Sequence, residues 1–184
     1  MLMSSLAGNM NGSRLRSQLE TYHKESYGWA LRCCSQDATE AEEVLQMVYV
    51  KILEGKANYE GKAKWKTWLF AVIRNTAAEQ RRKNRLRRQR VAQVKERFSE
   101  AISEVKLEEE IHRNQVRRLF REALAGLSKK QQEVLQLVFY HDFSLREAAA
   151  TMGISIGSAR THYERGKKRL RESVHATLIR EGLH

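Results

Sequence analysis

Apolar residues recur along most of this chain at intervals of three and four, the spacing that lines one face of a helix. Leu15, Leu19, Tyr22, Ala30 and Leu31 predict a helix over about 13–34, with a break at 35–39. Ala41, Val44, Leu45, Val48, Tyr49, Ile52 and Leu53 predict a second over about 40–54, closed by Gly55. Its opposite face presents Glu43, Gln46, Met47 and Lys51. Trp65, Trp68, Leu69, Val72 and Ile73 mark a third. From Val91 to Asn114 no stripe is wide enough for a core. The pattern resumes with Val116, Leu119, Phe120, Ala123, Leu124 and Leu127, then Val134, Leu135, Val138 and Phe139. With no proline and 10 glycines, the chain reads as nearly all helix. The expected fold is all-α: two small helical domains at 13–90 and 113–184, a charged and partly helical linker at 91–112, and a disordered start at 1–12.

The last stripe has internal punctuation. Ser144 caps a short helix, Glu147 completes a capping box, and Leu145, Ala148, Ala149 and Met152 face inward. Gly153 suits a left-handed turn, and Ser155 caps the next helix. There Ile156, Ala159, Tyr163, Gly166 and Leu170 would face inward, leaving Gly157, Ser158, Arg160, Thr161, Glu164, Arg165 and Lys168 outside. Double capping, the alanine pair and the glycine turn together favour a helix-turn-helix over an ordinary hairpin.

Charge sharpens the picture. A net charge of +12 and pI near 10.0 point to a polyanion, either nucleic acid or an anionic membrane surface. No apolar run approaches the ~20 residues that span a bilayer. The N-terminus has no signal-peptide pattern, so the expected compartment is the cytoplasm and no membrane insertion is expected. Arg81, Arg82, Lys83, Arg85, Arg87, Arg88 and Arg90 follow the tryptophan helix, and the loop Tyr59, Glu60, Gly61, Lys62, Ala63, Lys64 precedes it. Cations beside aromatics suit single-stranded nucleic acid. On this basis Trp68 belongs to the core, and Trp65, between two lysines, is the stacking candidate. The acids Glu40, Glu42 and Glu43 are out of character for such a basic chain. The helix dipole accounts for Glu40 and Glu42, but not for Gln46. The adjacent Cys33 and Cys34 fit helix packing and no zinc spacing.

The order of these pieces resembles the sigma-70 family, in its small extracytoplasmic-function type, over residues of about 13–175. Glu40 to Tyr49 is similar to the family's polymerase-docking stretch, Thr67 to Asn75 to its promoter-melting helix, and Ser144 to Leu170 to its minus-thirty-five reader. There are departures: Leu127-Ser128 stands where the family has Leu-Pro, Met47 follows the docking Gln, the docking acids are Glu, and Glu79 replaces an Asp.

The resemblance implies that Glu43 and Gln46, with Glu40 and Glu42, dock on the clamp helices of the polymerase largest subunit, the flap being the other contact on core polymerase. It implies that the Tyr59–Lys64 loop, Trp65 and Asn75 capture a flipped minus-ten base. Arg74, Arg81, Arg82 and Arg85 would hold phosphates. Ser155, Ser158, Arg160, Thr161, Glu164, Arg165 and Lys168 would face the minus-thirty-five groove. It also implies an anti-sigma partner, and an acidic linker half (Glu100, Glu104, Glu108 to Glu110) that occupies a nucleic-acid channel; a solvated spacer is the equal alternative.

Energetics also call for a partner. Opening five base-pair steps costs about 7 kcal/mol at ~1.4 kcal/mol each, and stacking returns only about 1–3 kcal/mol per captured base. The rivals are weaker. Glu-x-x-His occurs at Glu20/His23, Glu109/His112 and Glu172/His175, but in polar surroundings unlike a di-iron core. No catalytic motif, metal or cofactor is expected. A stand-alone helix-turn-helix regulator leaves the Tyr59–Asn75 stretch without a role. No large sensor domain is expected after the reader helix.

Overall fold

The structure, a computed structural model, describes residues 12–92, 124 and 126–180. Among the described residues there are seven helices and no strand: α1 (Gly12–Thr21), α2 (His23–Cys33), α3 (Ala38–Leu53), α4 (Trp65–Ala92), α5 (Lys129–Phe139), α6 (Leu145–Met152) and α7 (Ile156–Arg180). Residues 1–11, the linker beyond Ala92 and the stripe from Val116 to Ala123 lie outside them.

The expected first helix is two. Tyr22 leaves helical geometry (φ −97°, ψ 5°), yet its N–H still bonds Gln18 O and its carbonyl accepts from Ser26 N–H. The chain therefore kinks without losing its ladder. Thr21 supplies a cause: its hydroxyl donates back to Ser17 O at 2.8 Å, a bond that bends helices. Asp37 caps α3, accepting from Glu40 N–H at 3.0 Å. Gly55 (φ +70°) ends it, and Lys56 N–H reaches back to Lys51 O, as the sequence suggested.

Trp29, absent from the expected stripe, is the centre of the first four helices. It is fully buried, donates from Nε1 to Phe70 O at 3.0 Å, and stacks on the Phe70 ring at 5.7 Å. Ala41, Val44, Leu45, Val48 and Ile52 of α3 and Leu69, Ile73 and Ala77 of α4 close around it. Leu53 was expected inside but is 51% exposed, because α3 is already ending there. Cys33 and Cys34 are buried free thiols. Burial pushes them up to about 12 and about 11 respectively, so thiolate chemistry is suppressed.

In the last three helices both capping boxes form, Ser128 with Gln131 and Ser144 with Glu147. Ser128 thus caps α5 without the family's proline. Gly153 is left-handed (φ +64°). Gly166 is required for another reason: a Cβ there would meet Leu135 Cδ1 at 3.0 Å, so glycine lets α7 lie close on α5. Two inward expectations fail. Ile156 is 43% exposed, since Ile154, just before the cap, takes the apolar place against the core. Phe139 is 62% exposed at the end of α5 and stacks on Tyr163 at 5.8 Å.

Candidate nucleic-acid interface

The loop between α3 and α4 is built by aromatics. Tyr59 donates its hydroxyl to Ala63 O at 2.6 Å, closing the loop on itself, and Gly61 turns it at φ +71°. The Tyr59 ring packs against Trp65 at 5.1 Å and Trp68 at 5.4 Å, with the two tryptophans 4.8 Å apart. This reverses the expected assignment: Trp65 is only 9% exposed and Trp68 is the half-buried ring. The flanking lysines misled because consecutive helical residues point ~100° apart. Lys64 and Lys66 turn away while Trp65 goes under Tyr59. Glu60, Gly61 and Lys62 form the exposed tip, where Glu60 pairs with Lys62.

Asn75 is exposed two turns beyond Trp68, on the same side of α4. Arg82 and Arg85 are exposed along the basic run. Arg81 is half-buried and donates to Cys33 O, bracing α4 on α2. Glu79 braces α4 on α3, taking Lys51 at 2.9 Å and Lys83 at 3.2 Å.

On α3, Glu43 and Gln46 are exposed opposite buried Val44, Leu45 and Val48. They line a shallow groove with Met47, Val50, Lys51, Glu54, Lys56 and Gln80. Val50 is 50% exposed, so acid and apolar surface meet there. Glu42 is exposed about a quarter-turn round, and Glu40 is half-buried in the first turn.

On α7, Ser158, Arg160, Thr161, Glu164, Arg165 and Lys168 are all exposed on the outer face, as expected. Ser155 caps the helix through Ser158 N–H at 3.1 Å. Thr161 donates to Gly157 O at 3.0 Å. Glu164 pairs with Lys167, at 3.4 Å, whose ammonium also lies 4.7 Å from the Tyr163 ring centroid.

The two helical groups do not stand apart. His141 and Phe143, from the turn after α5, insert against Phe70 and Trp29, with His141 edge-on to Phe70 at 4.8 Å and Phe143 5.3 Å from it. Lys66 donates to His141 O at 3.0 Å and pairs with Glu25. Arg74 Nε meets Glu133 Oε2 at 3.0 Å. Thr151 donates to Thr67 O at 3.3 Å. Glu147 divides its two oxygens: Oε2 accepts from Ser144 N–H and hydroxyl, and Oε1 takes Lys64 at 2.8 Å. Arg74 is thus directed at α5 rather than at the loop.

His141 makes this seam sensitive to pH. It is buried, its ring nitrogens lack hydrogen-bond partners, and its Nδ1 is 3.7 Å from Glu25. Burial first, then the Lys66 charge, push it down to about 4, with Glu25 and Asp142 opposing. A packed state that excludes the proton loses stability as pH falls from the unfolded value near 6.5 toward 4, and is unaffected above that window. Glu147, held at about 2 first by the Lys64 hydrogen bond, weakens the same seam only below about 4.5. The thermal midpoint should therefore be lower at pH 5 than at pH 7, by up to about 2 kcal/mol of stability from His141. His141→Phe should remove most of that difference. An equal pH difference in the variant would assign it to other groups.

This fold and surface define a helical protein with a helix-turn-helix and an aromatic–basic loop and helix. Residues 19–87 match Sigma-70 region 2, and residues 117–170 match Sigma-70, region 4. The chain is 30% identical over 167 residues to the ECF RNA polymerase sigma factor SigX of Bacillus subtilis, spanning 89% of this chain and 84% of that one. It is 26% identical over 132 residues to the RNA polymerase sigma factor CarQ of Myxococcus xanthus, spanning 72% and 73%. Among solved structures, the sigma factor RpoE of Bartonella quintana, in complex with the anti-sigma factor NepR, aligns with a TM-score of 0.64 and 26% identity over 88% of this chain and 96% of that one. The chain belongs to the sigma-70 family, in its extracytoplasmic-function group. It is an alternative sigma factor that directs transcription initiation. Among the described residues no helix is long and apolar enough to cross a membrane.

Proposed function

We propose that this chain binds core RNA polymerase through Glu43 and Gln46, with Glu40 and Glu42 beside them, on the clamp helices of the largest subunit. The observation carrying this is the exposed groove of α3, where Glu43, Gln46 and Glu54 meet the apolar Met47 and Val50, with Lys51 and Lys56 at its side. A surface that leaves Val50 and Leu53 in water next to carboxylates fits a protein partner better than DNA. The loop Tyr59–Lys64 with Asn75 captures a flipped minus-ten base, with the exposed Arg82 and Arg85 toward the phosphates. The exposed face of α7 reads the minus-thirty-five element, and the second helical group also meets the polymerase flap. The working units are 13–90 and 113–184, joined by 91–112. The protein acts in the cytoplasm as a non-enzymatic factor. Its expected inhibitor is an anti-sigma protein, since the similar RpoE is solved with one. Run-off transcription with purified core polymerase tests the whole proposal: specific starts should require this chain. Sequence-specific duplex binding by the chain alone would instead favour a stand-alone regulator.

Base reading by α7 can be tested at one residue. Glu164 has an exposed carboxylate with only a loose lysine brace, leaving an acceptor for cytosine N4. Glu164→Ala should relax preference at one base pair by about 1–3 kcal/mol in holoenzyme binding to single-base promoter variants. A uniform shift at all positions would leave Arg160 and Arg165 as the readers.

A further inference from the structure

The Tyr59 ring rests on two indoles, 5.1 Å from Trp65 and 5.4 Å from Trp68, and its hydroxyl donates to Ala63 O at 2.6 Å. A flat ring held against aromatics, with one polar group donating to the loop backbone, is also what a captured base would be. Trp65 forms one wall of this seat. Its Nε1 is buried and has no hydrogen-bond partner among the described residues. Buried donors in folded proteins are nearly always bonded, so an orphan calls for a cause. Tyr59 supplies one: the face of its ring is the only acceptor it can turn to an N–H, and a π face is a weak substitute for oxygen or a ring nitrogen.

Little else holds Tyr59 in place. Backbone bonding stops at Ala57 N–H to Lys51 O and resumes at Trp68 N–H to Lys64 O. Among the described residues, the span between is fixed by the Tyr59 hydroxyl and by the Glu60–Lys62 pair at its tip. Gly61, at φ +71° with open space around it, can absorb a change of backbone angle there. The ring can therefore leave its seat without breaking a ladder, and its departure uncovers Trp65.

We propose that Tyr59 holds the place of the captured base, and that Ala63 O and the Trp65 indole N–H select a base bearing an amino group. This deepens the minus-ten reading of the loop and rests on it. The pair offers one acceptor and one donor. Cytosine and adenine present the matching edge, an exocyclic amine beside a bare ring nitrogen. Thymine and guanine present the reverse, a carbonyl beside a ring N–H. They would set carbonyl against carbonyl and N–H against N–H. Selection comes from the two groups beneath Tyr59, whose own contacts lower affinity by the fraction of molecules it keeps closed.

The test uses holoenzyme made from core polymerase and the full chain. The probes are labelled single-stranded oligothymidines carrying one central deoxycytidine, deoxyadenosine or deoxyguanosine, with plain oligothymidine beside them. The cytidine and adenosine probes should bind about tenfold more tightly than the other two, the scale of one well-made hydrogen bond. A cytidine analogue with hydrogen in place of the amine should lose that advantage. Trp65→Phe keeps a ring and loses the N–H, and should cut the preference to about threefold or less. Tyr59→Phe loses only the bond to Ala63 O and should raise affinity for the amino-base probes several-fold. No preference among bases in the unchanged chain overturns the proposal. So does a preference undiminished by removal of the amine or by Trp65→Phe, and so does unchanged or weaker binding by Tyr59→Phe. Replacing Tyr59–Lys64 by a Gly-Ser segment reads the minus-ten role separately. If every probe then binds as before, the loop captures no base and both readings fall. If binding weakens but the unchanged chain shows no base preference, the capture role stands and the selection by Ala63 O and Trp65 is wrong.

Discussion

Replacing Glu43 and Gln46 together by lysine should abolish binding to core polymerase while leaving helicity unchanged. Both side chains are exposed, and neither touches the α3 core, which is made by Ala41, Val44, Leu45, Val48 and Ile52 on the other side. The variant therefore folds. Interface hot spots cost upward of about 2 kcal/mol each when truncated, and charge reversal adds repulsion. A loss of at least several hundredfold is the expected scale, roughly 4 kcal/mol. Co-purification with core polymerase measures it, with far-ultraviolet circular dichroism as the control. Unchanged affinity would move docking off this face. The neighbouring Met47 and Val50 give the groove its apolar floor, so substitutions there should weaken binding without altering its salt dependence.

The second large effect concerns promoter opening. Replacing Tyr59–Lys64 by a Gly-Ser segment together with Asn75→Ala should spare core binding and strongly reduce permanganate reactivity of minus-ten thymines. Each captured base contributes about 1–3 kcal/mol through stacking, so one lost pocket means roughly a five- to hundredfold loss of open complex. Tyr59→Phe isolates the loop's architecture: it keeps the ring against Trp65 and Trp68 but loses the hydroxyl bond to Ala63 O. A partial loss in that variant would mean that the closed loop shape matters, beyond the ring. Reactivity unchanged in the full replacement would exclude the loop from melting.

Much of the architecture was legible because local signals agreed. The capping boxes at Ser128 and Ser144, the left-handed Gly153 and the outward face of α7 follow from short-range chemistry that a chain carries in its own order. What failed depended on contacts distant in sequence. Trp29 lies 41 positions from the Phe70 carbonyl it bonds, although its spacing of seven from Tyr22 and three from Ser26 was a usable cue. Trp65 was judged by its lysine neighbours, while its burial depends on Tyr59 folding back. The pairs Arg74–Glu133 and Lys64–Glu147 join residues 59 and 83 positions apart, so no window along the chain could show them.

The divided carboxylate of Glu147 bears on how costly it is to change shape. One oxygen secures the start of the reader's first helix and the other secures Lys64. Separation of the groups breaks only the second set of contacts. The cap on Ser144 uses the other oxygen, so the start of α6 does not depend on the Lys64 contact.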